Sequence, residues 1–334
     1  IANADRDGYA RRELLLSSQV ATGGVRIDGI ARMVNAGLLA EYRVATAGSG
    51  NAALLGAYHQ RIESAIAELE FIPSTHARAL ADKRSNVLAA LLPIGADAAP
   101  SITMQFVYAA AKASRAREQD LLLVVGDEIS ENLDLFLRSD QADGLILLEI
   151  AEGDLRISKL QETEKPAVLI GWAPKDIRLD CVDLDWIAAG RTLVSHLHKL
   201  GHQDIALLGA APEAYERHLT YAERFLAGSQ EAAKKGKVQL WEWPTAESNI
   251  VQIAASLELL FEQHPHTSAL VIQNESLIPH ICSLLMRIGK RVPEDISVVG
   301  LTLDAFKQVT LQPISGIENP SASITETAVE LLMS

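Results

Sequence analysis

Two hydrophobic rhythms divide the chain near Asn86. Before it, apolar residues recur at helical spacing in short bursts. In VRIDGIARMV (25–34), Ile27, Ile30, Ala31 and Val34 stand at i, i+3, i+4 and i+7, one face of an amphipathic helix. Asn35-Ala36-Gly37 supply a turn, LLAEYRVATA (38–47) a second short helix, and GSGN (48–51) a second break. AYHQRIESAIAELEF (57–71), with Ile62, Ile66 and Leu69 on one face, is the clearest helix of the three. Short helices joined by tight turns predict a helix-turn-helix unit over residues 25–72, although any small helical bundle shares the pattern. Residues 1–24, with one short helical stretch and a Gly-Gly stop, form an extension without an assigned role.

From Val87 onward the rhythm changes. Unbroken apolar runs of strand length recur: VLAALLPI, LLLVVGDE, DGLILLEI, PAVLIGW, DIALLGA, VQLWEW, SALVIQN and DISVVGL. Helix-like segments separate most of them, among them WIAAGRTLVSHLHKL and longer ones near 214–235 and 249–263. A strand apolar on both faces belongs in a parallel sheet covered by helices, so residues 87–334 are predicted to be α/β. Eight such strands fit one barrel or two doubly wound halves. Asp127, Glu149 and Asn274 fall at strand ends, where open α/β sheets place their ligands.

Composition narrows the function. The charged fraction of 22% is that of an ordinary globular protein, and no apolar run reaches the length of a membrane span. The first residues lack the apolar centre of a signal peptide, and Cys181 and Cys282 sit in apolar surroundings without metal-ligand spacing. A cytoplasmic protein with buried, reduced thiols is expected. The net charge of −13 is unevenly spread: residues 1–86 hold 10 Lys/Arg and 9 Asp/Glu, and the remainder holds 20 and 34. A near-neutral head on an acidic body is compatible with a DNA-binding head.

The usual catalytic signatures are missing from the sequence. There is no phosphate-binding G-x-x-x-x-G-K-[ST], no G-x-G-x-x-G after a strand, no G-x-S-x-G and no H-E-x-x-H. His196, His198 and His202 lie close together and His264 and His266 flank a proline; helix-surface and loop roles are favoured over a metal site for both groups. No enzyme activity, cofactor or metal is expected, and an α/β enzyme has only fold-level support.

Several stretches carry a family resemblance. AIAELEFIPSTHARAL resembles the end of the DNA-binding head and the hinge of the lactose-repressor (LacI/GalR-type) transcription regulators, in which a helix ending in E-x-L-G-Y is followed by a proline and an A-R-x-L hinge. LVSHLHKLGHQDIALLGA (193–210), ALVIQNESLIPHICSLLMRIGKRV (269–292) and VPEDISVVG (292–300) fit the same family, at matching spacing. The resemblance covers Val25 to Ser334. It implies a helix-turn-helix head at 25–72, a hinge helix and linker at 73–86, and a two-lobed body at 87–334. The resemblance also implies that this body is of doubly wound parallel sheets, like periplasmic sugar-binding proteins, and that the protein works as a homodimer on operator DNA.

The head departs from the family pattern. The recognition helix usually reads V-S-x-x-T-V-S-R-x-L-N; here LLAEYRVATAGSGN keeps only Arg43-Val44 and the following Gly-Ser-Gly-Asn. Tyr42 and Arg43 are the DNA-contact candidates, and Glu41 would repel phosphates. The hinge is better preserved. Ser74 or Thr75 can cap a short helix carrying Ala77, Arg78, Ala79 and Leu80, which is marginal alone and folds only when something stabilises it. By the resemblance, two such helices meet across the dimer and wedge Leu80 between base pairs in the minor groove, with Ala77 beside it and Arg78, Lys83 and Arg84 near phosphates. A plain interdomain linker is the alternative.

The resemblance also nominates an effector site. R-H-L-T-Y places Arg217 and Tyr221 where the family has R-x-x-G-[FY]. Asn274-Glu275 stand for its Asn-Asp, and Asp185-Trp186 for the Asp-Asn of the crossover between lobes. Phe106 is a candidate lid, and GLTLDAF offers Thr302 and Asp304 in place of G-F-D-D. The implied function is a gluconate-repressor-like regulator, a repressor whose operator affinity is controlled by a small sugar or sugar-acid effector. A sugar-type ligand-binding protein that has lost specific operator recognition is the second reading, suggested by the altered recognition helix.

Overall fold

The structure, a computed structural model, describes residues 11–19, 24–33, 60–61, 64, 84–92, 100–126, 133, 136–139, 141–173, 176–245, 250–302 and 313–334. The chain divides into two compact units, 1–84 and 85–334.

In the first unit, Arg11–Gln19 (β1) and Gly24–Met33 (β2) form an antiparallel hairpin, with Arg11 opposite Met33 and Gln19 opposite Gly24. The register shifts once, so that Asp28 lies opposite no residue between the Leu15–Gly29 and Leu16–Ile27 pairs. This corrects two expectations from sequence, a helix over 25–34 and a short helical stretch within 1–24. The strand pattern is present in the sequence: Val25 and Ile27 alternate with Arg26 and Asp28 at period two. A helix there would also carry Gly29 in its interior, at a cost of about 1 kcal/mol relative to Ala. Gln60, Arg61 and Ser64 are helical, and the Ser64 hydroxyl donates to the Gln60 carbonyl at 2.8 Å. The expected second helix at 38–47, with Tyr42 and Arg43, lies outside the described residues. So do Ala77, Arg78, Leu80 and Lys83 of the hinge; Arg84, at its end, is described and exposed.

The second unit is built on two parallel five-stranded sheets. The first joins Val87–Leu92 (β3), Asp120–Val125 (β4), Gly144–Leu147 (β5), Ala167–Ile170 (β6) and Asp180–Val182 (β7) in the order β4-β3-β5-β6-β7. The second joins Asp204–Gly209 (β8), Gln239–Pro244 (β9), Ala269–Ile272 (β10), Ser297–Thr302 (β11) and Ser315–Glu318 (β12) in the order β12-β11-β10-β8-β9. All eight apolar runs are strands, arranged as two doubly wound halves and not as one barrel. β7 and β12 were not foreseen: β7 has only three residues, and β12 (SGIE) is too polar to read as a buried strand.

Alternate residues of each central strand enter opposite cores, as the pleat requires. In the first lobe, Leu88, Ala90 and Ile146 pack against Pro100–Arg115 (α1) and the C-terminal Ser321–Met333 (α8), while Leu91, Leu145 and Leu147 face Leu155–Gln161 (α2). In the second lobe, Ile205, Leu207 and Val271 meet Trp186–Lys199 (α3) and Thr220–Gly236 (α5), with the short Pro212–Glu216 (α4) between them in the chain. Leu208, Leu270 and Ile272 meet Ile250–Gln263 (α6) and Ile281–Arg287 (α7) on the other face. The chain therefore crosses into the second lobe after β7 and returns after β12 to add α8 to the first.

The α3–α5 contact is close enough that backbones touch. A Cβ on Gly228 would lie 2.0 Å from the Ile187 carbonyl oxygen, and one on Gly190 would lie 2.3 Å from that of Phe225. Only glycine fits such an approach.

The thiols differ from expectation. Cys181 is exposed because the sheet-edge strand β7 has no outer neighbour to cover it, and Cys282, on α7, is half-buried. Among the described residues no His, Cys, Asp and Glu group could hold a metal. His202 instead joins the Ser268 and Ser297 hydroxyls at 2.8 and 3.0 Å, and His264 stacks on Trp241 with centroids 3.7 Å apart. No helix among the described residues is long and apolar enough to cross a membrane.

Candidate functional site

The carboxyl ends of both sheets converge on one cavity of about 350 Å³. Leu148-Glu149-Ile150 after β5, Gly171 after β6 and Asp183 after β7 contribute from the first lobe. Ala210-Ala211 after β8, Gln273-Asn274-Glu275 after β10 and Asn319 after β12 contribute from the second. Its volume lies in the range of small-molecule sites, and its position follows the general rule for open α/β sheets.

Of the residues nominated from sequence, Phe106, Trp186, Arg217, Tyr221, Asn274 and Glu275 line this cavity. Asp185 does not: its carboxylate caps α3, accepting from the Ala188 N–H at 3.0 Å, and the aspartate lining the cavity is Asp183, two positions earlier. Thr302 is not in the lining either. Its hydroxyl donates to the Ile317 carbonyl at 3.5 Å, where β11 and β12 run side by side. Asp304 lies outside the described residues. Asp183 and Asn319 were missed because each follows a strand with a weak sequence signal, β7 or β12. Glu149 is marked in the sequence as a polar strand end.

The first lobe presents Glu149 through a buried ion pair. Asp154 caps α2 and holds Arg156 at 2.6 Å; that guanidinium donates to the Leu148 and Glu149 carbonyls at 3.0 and 2.9 Å. Glu149 itself has left-handed backbone geometry (φ 51°), as does His218 across the cleft (φ 52°). Such conformations cost non-glycine residues energy and persist where the surroundings over-determine them.

Here the surroundings are contacts between lobes. The Thr220 N–H and hydroxyl both donate to the Ile150 carbonyl, at 2.9 and 3.1 Å, and the Glu152 N–H donates to the His218 carbonyl at 2.9 Å. Beside them the Arg217 guanidinium meets the Glu149 carboxylate at 3.2 Å. Burial pushes the Glu149 carboxyl above the ordinary carboxylate range, with Arg217 pulling it part of the way back.

The opposite wall is aromatic. Trp186 is buried at the start of α3, with its ring 5.7 Å from that of Tyr221 and tilted 51° to it. The Trp186 indole N–H donates to Asp183 at 2.7 Å, so this side chain both packs and faces the cavity. Asp183 also accepts from the Leu184 N–H at 2.9 Å and lies 3.4 Å from Arg224, whose guanidinium sits over the Trp172 ring. Burial outweighs these partners and raises the Asp183 carboxyl to about 6.

The floor is tied together by amides. Gln273 accepts from the Ala210 N–H and the Tyr215 hydroxyl and donates to the Tyr221 carbonyl. Asn274 caps the 3-10 turn Glu275–Leu277 and donates to Thr245. The Asn319 amide donates to Glu275 at 2.9 Å, and both residues are almost fully buried.

Comparison with known proteins places this arrangement. Residues 194–334 match the model of a periplasmic binding protein-like domain. The HTH-type transcriptional regulator CelR of Thermobifida fusca is 24% identical over 333 residues, covering 97% of this chain and 92% of that protein. Among solved structures, a CelR–cellobiose complex aligns with a TM-score of 0.61 at 21% identity, over 87% of each chain. The lac repressor dimer bound to operator and an anti-inducer aligns with a TM-score of 0.68 at 23% identity, over 88% of this chain and 87% of that one. Two parallel-sheet lobes with a cavity at their strand ends accompany these likenesses: the chain is similar over nearly its whole length to an HTH-type transcriptional regulator, and its body has the periplasmic binding protein-like fold.

Proposed function

We propose that the protein is a DNA-binding transcriptional repressor whose operator affinity is set by a small sugar-type effector held between its two lobes. The observation that carries this reading is the cavity itself, formed in a chain whose relatives across nearly its whole length are HTH-type regulators. The relatives supply the ligand classes: one solved neighbour holds cellobiose and another holds operator DNA.

The lobes meet through a small set of directional contacts beside the cavity: the Arg217–Glu149 pair and the backbone contacts of residues 150–152 with 218–220. A ligand touching Arg217, Tyr221 and Trp186 on one side and Glu149 and Phe106 on the other acts on those contacts directly. It shifts DNA affinity by the difference in its affinity for the two arrangements of the lobes. The signal would reach DNA through the hinge, by changing the spacing of two hinge helices in a homodimer.

A homodimer is supported by exposed apolar side chains on adjoining elements of the first lobe: Met104 and Tyr108 on α1, and Leu123 and Val125 on the edge strand β4. Apolar side chains left exposed together on an edge mark an interaction surface.

The reading is tested by an electrophoretic shift of the full chain with fragments of its source genome at low salt, with and without a panel of sugars. A retarded fragment released by one sugar is expected. The absence of a shift with any fragment sinks the repressor reading and leaves a ligand-binding protein without operator recognition.

A further inference from the structure

One carboxylate holds the point where the chain enters the body. Asp143, just before β5, accepts from the Ser85 N–H at 2.7 Å, the Ser85 hydroxyl at 2.9 Å and the Asn86 N–H at 2.8 Å. Ser85 is the first residue of the second unit, and Arg84 before it is exposed. The same segment is paired on both sides. The Asp120 N–H donates to the Asn86 carbonyl at 2.8 Å, and the Asp143 N–H to the Val87 carbonyl at 2.7 Å. Asn86 takes left-handed backbone geometry (φ 55°), which asparagine tolerates and which these bonds hold in place. Hydrogen bonds to a charged acceptor are stronger than neutral ones, so the tie is firm.

Gly144, the next residue, carries the end of α8. A Cβ on Gly144 would lie 2.6 Å from Leu332 Cδ2, so Leu332 rests directly on that backbone. Glu330, on the same turn of α8, meets Arg117 at 2.6 Å, between α1 and β4. At its other end α8 follows Asn319-Pro320, and Asn319 lines the cavity and donates to Glu275 of the second lobe. Thirteen helical residues span about 20 Å between these points. Ile324, Ala328 and Val329 bury one side of the helix in the first-lobe core, where close packing leaves it no room to bend.

We propose that α8 carries the arrangement of the cavity to the point where the chain leaves the body, and that Asp143 is the positioning residue at its far end. This rests on the reading of the cavity as the effector site. A change in how Asn319 and Glu275 meet displaces the start of the helix. A packed helix moves as one piece, and its end presses on the residue beside the Ser85–Asn86 tie. The cavity and the outgoing chain are thereby linked through one element, with Asp143 acting through Ser85 and Asn86 and not by touching any ligand.

Limited trypsin digestion of the full chain tests this without operator or sugar. Lys83 and Arg84 are cleavage points beside the tie, and a protease cuts there at a rate set by how often the tie opens. Mass spectrometry of body fragments beginning at Arg84 or Ser85 gives that rate. Asp143→Ala is expected to raise it about ten- to a hundredfold, the range one hydrogen bond to a charged group supplies. Asn319→Ala, at the cavity, is expected to raise it about fivefold or more, the lower end of coupling between distant sites. In the double variant the two effects are expected not to multiply, because with the tie gone α8 has nothing left to act on. An unchanged rate in Asp143→Ala overturns the tie. An unchanged rate in Asn319→Ala, or effects that multiply, overturns the coupling. Urea unfolding shows whether each variant folds; where one does not, the milder Asp143→Asn or Leu332→Ala takes its place with the same expectation. A parent protein that retards no genomic fragment removes the repressor reading and leaves this result standing.

Discussion

Replacing Asp183 by asparagine tests the electrostatics of the cavity in one measurement. The carboxyl faces the Trp186 indole N–H, the Leu184 N–H and Arg224, with Asp185 close by as a like charge, and burial still lifts it to about 6. From an ordinary aspartate value that corresponds to ~3 kcal/mol between its protonation states. The folded protein binds this proton more tightly than the unfolded chain does. Stability from this group is therefore fully present below the ordinary aspartate value, falls as pH rises from there towards about 6, and is lost above it. Asparagine keeps an oxygen for Trp186 and Leu184 and does not titrate. Urea unfolding of the full chain and of Asp183→Asn, followed by circular dichroism from about pH 4 to about pH 7, isolates this contribution. Glu149, raised in the same direction, is present in both proteins and cancels. The variant should gain on the parent by ~3 kcal/mol across that range. Parallel stability curves would refute the assignment of a buried, proton-holding Asp183.

Other perturbations address the site, the core and the DNA-binding end. Arg217→Ala removes the lining guanidinium and should weaken effector binding by about 1.5–3 kcal/mol, as for a hydrogen bond to a charged group; an unchanged calorimetric affinity removes Arg217 from the site. Gly228→Ala drives a methyl group to 2.0 Å from the Ile187 carbonyl, so α3 and α5 must separate. A loss of about 3 kcal/mol in urea unfolding is expected, and a loss below about 1 kcal/mol would show that the helices yield. Leu80→Ala should abolish tight operator binding while leaving sugar affinity unchanged, and a normal operator affinity in the same gel assay would refute the minor-groove wedge.

Much of the body was legible in the sequence because buried parallel strands announce themselves. VLAALL and ALVI are apolar at every position since both faces are covered, and no other element of that length combines such composition with helical spacers. The edges were not legible. β7 and β12 are short or polar, carry little burial and derive their pairing from a neighbour, so no local pattern marks them. The 25–34 stretch supports both a helical and a two-residue period, and pairing with Arg11–Gln19 decides between them. Family resemblance located Arg217, Tyr221 and Asn274 near the cavity, but it pointed to Asp185 where the lining residue is Asp183.

The sequence by itself determined the two-part plan, the α/β class of the body, the absence of catalytic signatures and the acidic balance, all of which depend on composition and local period. Only the tertiary structure decided which carboxylates share a cavity, that Glu149 meets Arg217, 68 residues away, and that Asn319 and Glu275 form a buried pair. Strand pattern marks which residues lie inside a sheet, whereas a binding site is made at strand ends, where loops from distant parts of the chain converge. Which groups meet there depends on strand order and on where the chain crosses between lobes.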